Sequence, residues 1–173
     1  MTVTKTLIRN RMGAIVTACR ENGITQVAQI QYVVATALWE TGFTLLPVKE
    51  AYWVKNWKHY IRYSAVTSRY FPYYGRGYVQ ITWLKNYKVF SKLLGIDLVK
   101  NPDLALQSDI AMKILVIGMR DGLFTGVGLD RYINEDKTNF IEARYIINGR
   151  DKRKQIAALA SSVNIKTLSY VRY

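Results

Sequence analysis

The chain has 173 residues, half of them hydrophobic, which is enough for one cooperative core and falls in the single-domain range. Twenty-five Lys and Arg against twelve Asp and Glu leave a formal charge of +13, which draws the protein to polyanions such as nucleic acid, anionic lipid or an acidic cell envelope without choosing among them. No apolar stretch approaches the roughly 20 residues that span a bilayer, the N-terminus lacks the hydrophobic region of a secretory signal, and the single Cys19 excludes an intrachain disulfide, so a soluble protein made in the cytoplasm is expected.

Ile8, Met12, Ile15, Val16 and Cys19 recur at helical spacing ahead of Glu21-Asn22-Gly23, where Gly23 is placed to stop the helix. Cys19 is expected to be core filler in it. Thr25 is a candidate cap for a second helix with Val27, Ile30, Val33, Val34, Ala37 and Leu38 facing inward, ending at Trp39 or Glu40 before Thr41-Gly42 breaks it. Residues 70–83, "YFPYYGRGYVQITW", depart from helix: Pro72, Gly75 and Gly77 disfavour it, and the aromatic and β-branched residues around them predict a small hairpin or short irregular sheet. Ser108 or Asp109 is a candidate cap for a third helix, "DIAMKILVIGMRDGLF", apolar around much of its circumference. "NFIEARYII" and "KRKQIAALASSV" read as further helices, separated by Asn148-Gly149. The expectation is a mainly α protein, a single domain over residues 1–173, without internal repeats or a linker.

Residues 1–96 hold thirteen basic residues and three acids, Glu21, Glu40 and Glu50, and two of the three bracket one loop in "WETGFTLLPVKEAYW". A carboxyl held against Leu38 and Trp39 at the end of a buried helix loses solvation, which favours its protonated form and suits a general acid. Glu50, beside Lys49 in a polar loop, is expected to stay ionised. Two carboxyls in unlike environments are what glycosidic cleavage needs, one to protonate the leaving oxygen and one to activate water. Two unrelated surface glutamates would give the same spacing, which by itself fixes no distance.

Residues 52–87 hold twelve of the 22 aromatics, interleaved with Tyr73, Tyr74, Tyr78, Gln80, Thr82, Asn86 and Tyr87, groups suited to the faces and edges of sugars. Trp53, Trp57 and Tyr60, at helical spacing, read instead as a core stripe. Gly75-Arg76-Gly77 lacks the third glycine and the strand-to-helix context of a nucleotide fingerprint. His59 has no second His or Cys beside it, so no metal site is expected.

The segments "WETGFTLLPVKEAYW", "YYGRGYVQITWLKNY" and "ARYIINGR", with "LGIDLVKNPDLALQSDIAMKILVIGMRDGLFTG" between, together resemble glycoside hydrolase family 19 over roughly residues 25–160, particularly its bacteriophage endolysin branch. The resemblance implies a lysozyme-like helical domain and an inverting mechanism. It also implies that Glu40 is the general acid, Glu50 the second carboxylate acting as base, and Thr82 a residue holding the attacking water. Tyr74, Gln80, Asn86 and Asn148 would contact substrate, and Arg76 would be largely structural. Inversion implies carboxyls on the order of 6.5–9.5 Å apart. Two features depart from the family pattern: Trp39 stands where a His usually precedes the acid, and Tyr78 where chitinases carry Pro.

The implied function is hydrolysis of peptidoglycan β-1,4 bonds, without a cofactor, by a monomer drawn to the anionic bacterial envelope by its charge. The implied setting is synthesis in a host cytoplasm with a holin-type protein giving access to the wall. No stable membrane insertion is expected, the basic C-terminal helix reading as a docking helix with a solvated charged side. A chitinase is the alternative enzyme. A nucleic-acid-binding module is the alternative class, and it leaves Glu40 and Glu50 without a role, since carboxylates in a basic face repel phosphate.

Overall fold

A computed structural model describes residues 4–149 and 151–172, so Arg150, the last residue of the "ARYIINGR" segment, lies outside the described residues. The chain divides into two compact units: unit 1 comprises residues up to Leu45 and from Leu115 onward, and unit 2 comprises Leu46–Ile114.

Unit 1 is helical. Helix α1 (Lys5–Glu21) buries Ile8, Met12, Ile15, Val16 and Cys19, the face predicted from its spacing, and starts with the Thr4 hydroxyl accepting the Leu7 N–H. It closes at Asn22, with Gly23 in the left-handed region at φ 79°. Helix α2 (Val27–Glu40) is buried along Tyr32–Leu38, packs chiefly on helix α6 (Arg153–Ser162) and also meets α1. Gln26 stands at the N-cap of α2 and makes no side-chain cap bond; Thr25, the expected cap, is exposed outside the helix, one residue before it.

The C-terminus of α2 matters most, because it fixes position 40. The Thr41 hydroxyl donates back to the Ala37 carbonyl at 2.7 Å and accepts the Leu45 N–H at 2.9 Å, while the Phe43 N–H reaches the Leu38 carbonyl at 2.7 Å. Gly42 (φ 59°) and Phe43 (φ 66°) adopt the left-handed conformation that reverses the chain there. The predicted helix across residues 139–147 is instead a single 3₁₀ stretch, Glu142–Ile146, with Ala143, Arg144 and Ile146 buried. The run is about one turn long before Asn148-Gly149, too short to propagate an α-helix.

Unit 2 holds a two-stranded antiparallel sheet, β1 (Val48–Lys49) with β2 (Arg76–Gly77), in the register Val48 opposite Gly77 and Lys49 opposite Arg76. A bridge between Arg76 and Ile81 closes the local hairpin expected in residues 70–83, while the sheet partner comes from upstream, beside Glu50. Two further helices in unit 2, α3 (Trp57–Tyr63) and α4 (Trp83–Leu94), lie in or beside the aromatic block, and α4 turns Tyr87 and Phe90 inward. The predicted core stripe is corrected here: Trp53 is 74% exposed and precedes α3, Tyr60 is exposed, and of the three only Trp57 packs on the cluster of Ala51, Ile61 and Tyr74. Helix α5 (Ser108–Arg120) starts in unit 2 and ends in unit 1, with Ile110, Ala111, Ile114, Leu115, Val116 and Met119 buried. Ser108 and Asp109 lie inside its first turn, and its Ala111 N–H bonds the Gln107 carbonyl.

Candidate active site

In unit 1 the last residue of α2, Glu40, presents a carboxylate whose side chain is 20% exposed, and the buried guanidinium of Arg144 bonds its Oε1 at 2.5 Å through Nη1. Arg144 is held in turn by the Asp151 carbonyl, which accepts from its Nε at 3.1 Å. The apolar surround expected for Glu40 is therefore incomplete: the Arg144 guanidinium faces the carboxyl. Among the described residues Oε2 of Glu40 has no hydrogen-bond donor. One and two turns back on the same face of α2, Thr36 and Tyr32 carry buried hydroxyls. The Tyr32 phenol is pushed well up by burial, an effect that the nearby Arg144 charge opposes and the Glu40 charge reinforces.

In unit 2 Glu50 follows β1 directly, and both of its carboxylate oxygens accept hydrogen bonds. The Tyr70 hydroxyl reaches Oε1 at 2.6 Å and the Gly75 N–H reaches Oε2 at 2.9 Å, while the Glu50 N–H pairs with the Gly75 carbonyl at 2.7 Å. Burial, then the bond to Glu50, raises the Tyr70 phenol, which keeps it protonated as a donor. Gln80, at φ 55° in the tight turn, donates from Nε2 to the Val48 carbonyl at 2.7 Å and to the Gly77 carbonyl at 3.2 Å, tying the hairpin to β1. A carboxylate with two fixed donors is oriented to accept a proton from water.

The remaining predicted residues fall in three settings. Thr82, half-buried, stands at the N-cap of α4 with no side-chain cap bond, and Asn86, one turn on, donates to its carbonyl at 2.8 Å. Tyr74 is 6% exposed and lies under the Arg76 guanidinium, which sits 3.5 Å from its ring centroid, so it is packed within unit 2. Asn148 is exposed in unit 1, and its side chain accepts the Gly149 N–H. Glu50, Gln80 and Gly75 thus share one cluster in unit 2, and Glu40 with Arg144 forms another in unit 1. Sequence reasoning missed Arg144 and Tyr70 as partners of the acids. A signal for Arg144 exists, since an arginine inside the apolar run "ARYII" needs a carboxylate when buried; Tyr70 had none to single it out among its neighbours. Among the described residues no three His, Cys, Asp or Glu side chains are grouped as metal ligands.

Arg76 is structural, as expected: 3% exposed, it donates to Asp103 Oδ1 at 2.6 Å, to the Pro72 and Tyr74 carbonyls at 3.0 and 3.1 Å, and to the Tyr87 hydroxyl at 3.0 Å. This hub ties together the hairpin, α4 and the Pro102–Leu106 turn. His59 is exposed and leans on Tyr63.

Comparison with solved structures identifies the architecture. Chitinase C from Streptomyces griseus HUT6037 superposes with a TM-score of 0.65 at 21% identity, over 96% of this chain and 76% of that one. A bacterial family 19 chitinase superposes with a TM-score of 0.56 at 20% identity, over 96% of this chain and 95% of that one. The fold is that of the family 19 chitinases. The family 19 sequence profile, chitinase class I, matches residues 51–117, beginning one residue after Glu50. Chitinase 11 of Oryza sativa subsp. japonica is 49% identical over 45 residues, 26% of this chain and 18% of the rice protein. An endochitinase of Arabidopsis thaliana is 53% identical over 36 residues, 21% of this chain and 13% of the plant protein. The matched stretch thus spans less than a fifth of these plant relatives. The matched residues 51–117 include the hairpin, Arg76 and α4, and Glu40 and Glu50 both precede them in the chain.

Proposed function

We propose that this chain is a glycoside hydrolase that cuts the β-1,4 bond between N-acetylmuramic acid and N-acetylglucosamine in peptidoglycan, as an endolysin of phage type. Glu40 serves as general acid: Arg144 fixes its carboxyl through Oε1 and leaves Oε2 for the proton passed to the leaving oxygen. Glu50 serves as base, held by Tyr70 and Gly75, with Thr82 aligning the water, and the anomeric carbon inverts. Gln80, Asn86 and Asn148 contact the sugars, whereas Tyr74, packed beneath Arg76, supports the hairpin instead of reaching substrate. The single observation that carries this reading is the fixed, doubly donated carboxylate of Glu50, one residue ahead of the family 19 match. No cofactor enters. The protein works as a monomer, is made in the host cytoplasm, and reaches the wall with the help of a separate holin-type protein.

A chitinase is the second reading, favoured by the fact that the solved structures and plant relatives named above are chitinases. Mass spectrometry of digests of purified sacculi and of chitin oligomers separates the two. Release of fragments with N-acetylmuramic acid at the reducing end is the expected result, and turnover of chitin with intact sacculi would establish the alternative. Glu40→Gln is expected to slow hydrolysis by about two to four orders of magnitude, the scale for losing a positioned acid, while leaving the circular dichroism spectrum unchanged.

A further inference from the structure

Unit 1 carries a basic, aromatic groove that the hydrolytic chemistry does not use. Its largest part is a pocket of about 690 Å³, within the size range of ligand sites, floored by Ile8, Phe43, Leu168 and Tyr170 and edged by Lys5, Arg9 and Arg172. Lys5 and Arg9 are one turn apart on α1 and so share a face with Ile8 between them. A second pocket of about 370 Å³ shares Phe43 and Arg172 with the first and continues the groove to Trp39 and Lys154. Among the described residues no acidic side chain, Glu40 and Glu50 included, lines either pocket. The helical rotation of about 100° between Trp39 and Glu40 sends their side chains to different sides of the end of α2.

The groove is assembled by the segment beyond α6. Phe43, placed by the left-handed turn after α2, stacks on Tyr170 with ring centroids 5.9 Å apart, and the Arg172 guanidinium sits 4.2 Å from the Phe43 ring centroid. Trp39 meets Phe43 edge-on at 6.2 Å. The Asn164–Ser169 bridge orders the chain that delivers these residues. Arg172 is thereby held in place by a ring, which spares the ordering cost that a free surface arginine would bear on binding an anion.

We infer that this groove binds an acidic glycan, a saccharide chain bearing carboxylate or phosphate groups, at a site distinct from the catalytic carboxyls. Cations at both rims meet the anionic groups, and the Tyr170 and Trp39 rings with the Leu168 side chain supply apolar surface for pyranose faces. A bilayer is a poorer occupant, because Ile8, Phe43 and Leu168 are buried or half-buried and offer no exposed apolar wedge. A single-stranded nucleic acid, whose phosphates meet the same cations, is the competing outcome that the oligonucleotide probe below decides. The inference does not depend on which glycosidic bond is cut.

The test is calorimetric binding of the full chain carrying Glu40→Gln to four probes: soluble uncrosslinked peptidoglycan strands bearing carboxylates, teichoic acid bearing phosphates, an uncharged N-acetylglucosamine oligomer, and a single-stranded oligonucleotide. Arg9→Ala with Arg172→Ala is compared with Lys92→Ala with Lys137→Ala, which removes the same charge from exposed positions elsewhere. The first pair is expected to weaken an acidic glycan by about tenfold or more, through loss of two charge-assisted contacts. The second pair is expected to weaken it by less than about threefold, and neither changes the uncharged oligomer. Arg172→Lys, retaining the charge, is expected to recover part of the binding and guards against a folding artefact. Whether the carboxylate or the phosphate probe responds names the source of the anion. Equal weakening by both pairs, or an oligonucleotide as the only probe sensitive to the groove pair, would overturn the inference. The readout is binding, so it stands apart from the hydrolysis assay of Glu40→Gln.

Discussion

Arg76 and Asp103 show at the scale of one residue how unequal the two ends of an ion pair can be. The guanidinium side chain is 4% exposed and satisfies two carbonyls and the Tyr87 hydroxyl, whereas the Asp103 side chain is 74% exposed. Asp103→Asn removes the negative charge facing Arg76 but keeps an amide oxygen in place and leaves the other acceptors intact, so it is expected to cost about 1 kcal/mol, well below the loss of the only partner of a buried charge. Arg76→Lys keeps the charge but cannot reproduce a fork that serves several acceptors, and leaves buried carbonyls without donors at a cost of about 2–4 kcal/mol. Urea unfolding of the two variants measures the difference, and equal losses would contradict the hub. The Tyr87 hydroxyl, donating to the Tyr74 carbonyl at 2.9 Å, is part of the same network.

At the scale of elements, Gly75, the residue that leads into β2, positions Glu50, and the glycine is required by a neighbour. A methyl group at Gly75 would lie 2.7 Å from Gln80 Oε1 and 3.2 Å from Gln80 Cβ. Gly75→Ala is therefore expected to push Gln80 off the Val48 carbonyl and to shift the N–H that holds Glu50. Hydrolysis should fall about tenfold, on the scale of a misplaced catalytic group. The fold, meanwhile, should lose only about 1 kcal/mol, because a flexible side chain can move aside. A thermal melt run beside the rate assay separates the two effects, and a large loss of stability with unchanged rate would refute the positioning role. Helices α1 and α6 were legible in the sequence from apolar residues recurring at helical period, and α2 and α5 from long, largely apolar runs between caps and breakers. Helices α3 and α4 were not, because the aromatic block places large side chains on exposed as well as buried faces; Trp53 and Trp83 are both exposed. The candidate acids stand out in the sequence because they lie in a basic stretch. Their partners do not, since Arg144 pairs with Glu40 across 104 residues and no local pattern carries such a contact. The departure at Trp39 also acquires a physical setting: its ring joins the Phe43 groove.

At the scale of the whole molecule, burial of groups that ionise in alkali makes stability depend on pH in one direction. Burial pushes the Cys19 thiol from 9.0 up to about 12 and the Tyr87 phenol from 10.0 up to about 12, and it raises Tyr32 and Tyr70 as well. In each case the folded state keeps its proton after the unfolded chain has released it. The folded state then binds more protons, and unfolding free energy falls as pH rises. The contribution of Cys19 is complete below its unfolded value of 9.0 and is lost progressively toward about 12; that of Tyr87 is lost between 10.0 and about 12. A formal charge of +13 works the other way, since shedding positive charge in alkali relieves self-repulsion. The shifted thiol and phenols are expected to dominate. Urea midpoints measured at about pH 8, 9, 10 and 11 are expected to fall, most steeply above about 10, where the thiol and the phenols act together. Cys19→Ala should flatten the segment between about 9 and 10, where the thiol is the first of these groups to act. A midpoint that climbs through this range would mean that relief of charge repulsion outweighs burial, and that these side chains reach solvent in the folded protein.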